Sequence, residues 1–185
     1  MSALRPLPDA EIDARAAAVE LLVLDVDGVL TDGGILMDDD GRELKRFHVR
    51  DGHGIKLLQR HGVPVAVITG RSSRVVAHRA EELGIAHLFQ GYERKAPAFR
   101  DLLERVNVAP EAVAMVGDDV VDLPIMVQAG LAVTVPNAHP EVGRRAHWCT
   151  GCAGGQGAVR EVADRLLRAR GLEESILAGY LEPDP

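Results

Sequence analysis

Four short, largely apolar runs stand out along the chain, three of them ending in acidic residues, glycine or threonine. They are residues 21–26 (LLVLDV), Val63–Thr69 (VPVAVIT), Ala112–Gly117 (AVAMVG) and Leu131–Val135 (LAVTV), with a weaker run at His87–Gln90. Strands buried on both faces read this way, because neither face needs polar residues. Between the runs the pattern changes to a helical period. Val75, Val76, Arg79, Ala80 and Leu83 make an i, i+3, i+4 stripe, and Leu57, Leu58 and His61 share a face of the helix before it. Asp51 and Ser72 are candidate N-caps for these two helices, and Gly62 and Gly84 sit where a left-handed residue would end them. Further helices are expected at Ala96–Asn107, Val120–Ala129, Glu141–Ala146 and Ala158–Arg170.

Strands alternating with helices of this length imply an α/β fold, a Rossmann-like doubly wound parallel sheet with right-handed crossovers, whose ligands bind at the carboxyl ends of the strands. Gly33–Phe47 breaks the alternation. Its Asp-Asp-Asp-Gly centre lies between two extended runs and predicts a β-hairpin insertion over 33–47. The gap between DVDGVLTD and VITGR has room for this hairpin and one helix, so no large cap domain fits. The expected organisation is an N-terminal helical extension (1–20), one domain (21–172) and a C-terminal tail (173–185), its last residues LEPDP frayed.

The chain has 185 residues, 46% hydrophobic, 26% charged and 3% aromatic, as suits one globular domain. A net charge of −7 and the lack of any basic run exclude a nucleic-acid backbone as the natural partner. No segment approaches the ~20 apolar residues of a membrane span, and the N-terminal stretch lacks the apolar core of a signal peptide. No membrane partner and a cytoplasmic location are therefore expected. Cys149 and Cys152 form CTGC without a second cysteine or histidine motif, and are read as two reduced thiols in a loop.

The chemistry gathers at the strand ends. Asp25 and Asp27 close the first strand in DVDG, and a period of two sends both carboxylates to one side. Such a pair can divide labour, one as nucleophile toward phosphorus and one as acid and then base. A calcium loop would instead need more oxygen ligands and flanking helices. Thr69 and Gly70 end the second run, where a hydroxyl and a backbone N–H can hold a phosphoryl oxygen; a plain turn is the alternative. Lys95 opens a helix, and its ammonium can neutralise a carboxylate and a phosphate, although a solvated lysine is the commoner outcome. Asp118, Asp119 and Asp122 in GDDVVD crowd carboxylates that repel one another without a cation, and hard oxygen ligands favour magnesium. A helix cap explains one of these aspartates and leaves the other two. Of seven scattered histidines, His48 and His53 lie nearest this edge, in FHVRDGHG.

With DVDGV at 25–29, Thr69, Lys95 and GDDxxD at 117–122 in order, the chain resembles the haloacid dehalogenase superfamily. DVDGVLTDG, FHVRDGHGI, VITGR, LFQG, VGDDVVDLPIM and GGQGAVRE, spanning roughly residues 20–170, look within it like the phosphatases of keto-deoxy sugar acids that serve lipopolysaccharide synthesis. The resemblance implies Asp25 as nucleophile, Asp27 as general acid/base, and Thr69 and Lys95 as holders of the phosphoryl group. Magnesium would bind Asp118, Asp25 and the backbone carbonyl of Asp27, supported by Asp119, Asp122 and Gly70. Thr31, Arg50, Arg71 and Gln156 would contact the substrate, a small sugar-acid phosphate, in a homotetramer whose hairpins partly cover neighbouring sites. The chain departs from the family at Gln156, where members often carry arginine, and at His48, where they often carry asparagine. Arg71 favours an eight-carbon over a nine-carbon acid. A receiver domain would not need the DxD pair, and a non-catalytic assembly domain would have no chemical reason to keep the acidic cluster.

Overall fold

The computed structural model describes residues 5–182. Six parallel strands form one sheet in the order β5-β4-β1-β6-β7-β8. They are β1 (Leu21–Leu24), β4 (Val65–Ile68), β5 (His87–Phe89), β6 (Val113–Val116), β7 (Leu131–Thr134) and β8 (Trp148–Cys149). Successive strands run outward from β1 in one direction through β4 and β5, then in the other through β6, β7 and β8. The direction of winding therefore reverses at β1. In open parallel sheets that reversal opens a crevice beyond the carboxyl ends of the strands, and here it falls next to Asp25.

All four residues of β1 are buried. Alternation along it feeds two cores. Leu22 and Leu24 pack with Ile12, Ile55, Leu58, Val76, Val159 and Leu166 on one face. Leu21 and Val23 pack with Phe99, Leu102, Met115, Ile125 and Met126 on the other. The first face is covered by α1 (Asp9–Ala17), α2 (Val49–Arg60), α3 (Arg74–Leu83) and α7 (Ala158–Ala169), the second by α4 (Lys95–Val106), α5 (Leu123–Met126) and α6 (Pro140–Arg145). Helix α7 owes its place to a stripe at helical spacing: Ala158, Val159, Val162, Ala163, Leu166 and Leu167 are all buried.

The expected α/β architecture is present, with the hairpin formed by β2 (Leu36–Met37) and β3 (Glu43–Leu44). Its turn is closed by the Asp38 carboxylate, which accepts from the N–H groups of Asp40 and Arg42. Several details differ from expectation. Helix α2 begins after His48, three residues before Asp51, and α3 is capped by Ser73, whose hydroxyl accepts from Val76 N–H, in place of Ser72. The helix expected over Val120–Ala129 breaks into a 3-10 turn, Val120–Asp122, and the short α5, because the Asp122 side chain turns back onto the strand end. One strand and one α-helix were not foreseen. Strand β8 is only two residues long and exists through its pairing with β7. Helix α8 (Glu173–Leu181) continues the C-terminal segment; of LEPDP, residues 183–185 lie outside the described residues. Gly62 and Gly84 do adopt positive φ at the ends of their helices.

Asp51 has a different task from the one its position suggested. It is buried, and its Oδ1 accepts from the backbone N–H of Arg160 at 2.8 Å, in the first turn of α7. A side chain of α2 thus caps α7, whose own N-cap, Gly157, carries none. Burial raises the Asp51 pKa despite that bond. Both cysteines are free and exposed, Cys149 in β8 rather than in a loop. No helix among the described residues is long and apolar enough to cross a membrane.

Replacing Asp51 with alanine should lower stability by about 0.5–2 kcal/mol, the range of a lost N-cap. Asparagine should retain most of it, which chemical denaturation of both variants would measure; equal losses would mean that the bond to Arg160 contributes nothing.

Candidate active site

Two strand ends and one helix start converge on a buried ammonium. Lys95 begins α4, yet its side chain is 1% exposed. Its Nζ lies 2.6 Å from Asp122 Oδ1 and 2.8 Å from Asp25 Oδ1. Burial opposes the lysine charge, but the two carboxylates outweigh it and the Lys95 pKa is raised. Lys95 is thus buried and paired, not the solvated lysine that is the commoner outcome.

Asp122 is the anchor of the cluster. Its Oδ1 receives Lys95, while its Oδ2 accepts from the N–H groups of Asp118 and Asp119 at 3.0 and 3.1 Å. The GDD turn is thereby wrapped around the Asp122 carboxylate, and Asp119 bonds the N–H of Val120. Both oxygens of Asp122 are occupied. Those of Asp118 are not, Asp118 Oδ1 being buried without a partner, and Asp25 Oδ1 has only the Lys95 ammonium at 2.8 Å. Burial, and then the charge of Asp122, pushes the Asp25 carboxyl up to about 6. Burial, and then Asp25 and Asp122, pushes Asp118 to about 7. One Lys95 does not offset three carboxylates.

One carboxylate oxygen from each of Asp25, Asp118 and Asp122 lies within 4.8 Å of the others. With Asp122 already committed to Lys95 and two amides, the oxygens left to a cation are those of Asp25 and Asp118. The buried, unpartnered Asp118 Oδ1 beside Asp25 fits a hard divalent ion. Gly28 lets them approach: at φ +96°, a Cβ there would sit 2.1 Å from Asp118 Oδ2.

Asp27 stands at the next turn of the same loop, its side chain 24% exposed. Lys45 of the hairpin bonds its Oδ1, and Arg71 Nε lies 3.8 Å from its Oδ2. Thr69, buried at the end of β4, is fixed through its N–H to Phe89 O and its carbonyl to Tyr92 N–H. Gly70 follows it on the same lip.

A family model for haloacid dehalogenase-like hydrolases matches residues 48–130. The 3-deoxy-D-manno-octulosonate 8-phosphate phosphatase of Escherichia coli strain K12 is 52% identical over 162 residues, covering 88% of this chain and 86% of that protein. The chain belongs to the haloacid dehalogenase-like hydrolases. Among solved structures, the phosphatase of the same description from Yersinia pestis superposes with TM-score 0.87 at 48% identity, over 89% of each chain. That from Moraxella catarrhalis, in complex with magnesium, phosphate and KDO, gives TM-score 0.91 at 38% identity, over 94% of this chain and 99% of that one.

The remaining expected residues of this hydrolase divide. Arg71 joins the site, held by Glu43 at 2.8 Å. Thr31 turns its hydroxyl toward its own loop. It is buried, and its Oγ1 accepts from Gly28 and Gly33 N–H, at 3.4 and 3.2 Å, and donates to Val26 O at 3.4 Å, so it shapes the loop. Gln156 is exposed in the glycine-rich turn. Arg50 is exposed on α2 and faces a groove of about 550 Å³ shared with Trp148, Cys152 and Arg160. That groove contains none of Asp25, Asp27 or Asp118. His48 Nδ1 is buried without a partner, and His53 Nε2 lies 3.2 Å from the Tyr180 hydroxyl.

Sequence reasoning missed three contributors, Glu43, Lys45 and Asn137. Asn137 donates to Gly28 O at 3.2 Å and accepts from Gly154 N–H at 2.8 Å, pinning the glycine-rich turn onto the DxDG loop. The two backbones meet so closely that a Cβ on Gly154 would lie 1.7 Å from Gly28 O. The run GGQG was a visible signal; nothing local to Asn137, Glu43 or Lys45 marked them.

A raised carboxyl pKa makes the folded state pay for ionisation above pH 3.8, where the unfolded chain has already lost its proton. In chelator, Asp118→Asn should therefore melt above the wild type, by a margin that widens as pH rises from about 4 toward 7. Saturating magnesium should invert the order. Melting curves across that range test both; a constant margin would mean that Asp118 carries no such strain.

Proposed function

We propose that this hydrolase is a magnesium-dependent phosphatase that converts 3-deoxy-D-manno-octulosonate 8-phosphate to KDO and phosphate, for lipopolysaccharide precursor synthesis. The observation that carries the reading is the convergence of Asp25, Lys95, Asp118 and Asp122 on one strand edge, a nucleophile beside its counter-charges. The substrate is supported by relatives bearing that activity in their names, at about half identity over most of the chain.

Asp25 attacks phosphorus, and the bond to the sugar oxygen breaks as Asp27 gives that oxygen a proton. Asp27 then takes a proton from water, which attacks the phosphorus of the aspartyl phosphate and releases phosphate and free Asp25. Lys95 and Thr69 hold the phosphoryl oxygens. Asp25, Asp118 and the backbone carbonyl of Asp27 would hold magnesium, which when bound supplies the positive charge that lets an anionic nucleophile meet an anionic phosphate. Asp119, Asp122 and Gly70 support this set. Arg71, and at the rim Arg50 and Gln156, receive the carboxylate and hydroxyls of the sugar acid.

Residues 21–172 are read as the catalytic domain, with the 33–47 hairpin inserted, an extension before it and a tail after it. Ile35, Leu36, Met37 and Leu44 leave the hairpin strongly apolar and exposed, which supports a homotetramer assembled through the hairpins. A cytoplasmic location completes the reading.

Phosphate release from 3-deoxy-D-manno-octulosonate 8-phosphate, beside a nine-carbon analogue and other sugar phosphates, with and without magnesium, tests it. Selective, metal-dependent release, abolished in Asp25→Asn, is expected. Equal release from every ester would remove the substrate, and none at all would leave an assembly domain.

A further inference from the structure

The hairpin places a lysine where a lysine does not rest without a reason. Along β3 and the residue after it, side chains alternate: Leu44 is 59% exposed, while the Lys45 side chain beyond it is only 2% exposed. A long cationic side chain on a two-stranded hairpin would ordinarily reach water. Lys45 instead turns inward and ends between two carboxylates, bonding Asp27 Oδ1 and lying 3.2 Å from Glu43 Oε1. Glu43 is itself fixed, by the Arg71 guanidinium and the Ser73 hydroxyl. Those partners, the Ser73 bond first, hold its carboxyl below the usual range.

Asp27 needs such a brace. It lies beyond the end of β1, in a loop whose backbone is shaped by Thr31 and Asn137, neither of which touches the Asp27 carboxylate. Its Oδ1 has Lys45 and its Oδ2 faces Arg71. Lys45 and Arg71 offset the Asp27 and Glu43 carboxylates, so the brace adds no repulsion toward an anionic substrate. Reaching past Asp27 to a ligand would require Lys45 to abandon both carboxylates.

We infer that Lys45 is a positioning residue, supplied by the chain's own hairpin, which fixes the Asp27 carboxylate for proton transfer in both halves of the reaction, and that Glu43 fixes Lys45. The inference rests on the phosphatase reading. It also gives the hairpin a duty toward its own site, beyond any cover it offers a neighbour.

The test is a double-mutant cycle on the full-length protein with magnesium and 3-deoxy-D-manno-octulosonate 8-phosphate. Lys45→Met should lower kcat by about 100-fold, the lower end of what general acid–base catalysis contributes, with KM little changed. Lys45→Arg should recover part of it. In an Asp27→Asn background Lys45→Met should lose almost nothing further, because the effect passes through Asp27. The magnesium-induced rise in melting temperature should survive in every variant. If Lys45→Met fails to fold, Lys45→Met/Glu43→Gln removes the charge pair together and should show the same loss in kcat. An undiminished kcat, a rise confined to KM, or a full further loss in the Asp27→Asn background would overturn the inference. No phosphate release by the wild-type protein would bring down the phosphatase reading and the inference with it.

Discussion

One ammonium held between two carboxylates organises the carboxyl edge of this sheet. Lys95 bridges Asp25 and Asp122, and all three are buried. Burying charges costs several kcal/mol per ion even after relaxation, and the cost is recovered only where partners are close and well placed. Here the compensation is incomplete. Asp118 adds a third carboxylate, and the raised pKa values of Asp25 and Asp118 record the deficit. A site built with too much negative charge for its own stability is suited to a divalent cation and to chemistry at one of its carboxylates.

The fold delivers these groups by topology. Reversal of winding at β1 leaves its carboxyl end open, β6 beside it brings Asp118, and α4 brings Lys95 from the second core. Glycines then let the segments close. Gly28 gives room to Asp118, and Gly154 lies against the carbonyl of Gly28. The hairpin, which adds no strand to the main sheet, closes the other side through Lys45 and Glu43.

Much of this was legible because the relevant signals are local. Buried strands reveal themselves as apolar runs, and Asp25, Thr69 and Asp118 sit where those runs end. What escaped depends on contacts distant in sequence. Strand β8 takes its register from β7, so two residues with no pattern of their own become an edge strand. Asp51 resembles a cap for its own helix but serves one more than 100 residues later, with |i−j| = 109. Thr31 stands in a suggestive motif, yet its hydroxyl is spent on the loop. Nothing local marks Lys45, which the hairpin folds under Asp27.

The central claim is that Asp25 forms the bond to phosphorus, and trapping that bond tests it most directly. Enzyme mixed with substrate and magnesium, quenched in acid within a turnover and digested, should yield the peptide containing Asp25 carrying one phosphoryl group. The same peptide from Asp25→Asn should carry none. A phosphoryl group on any other residue, or its absence while phosphate is being released, would contradict the account.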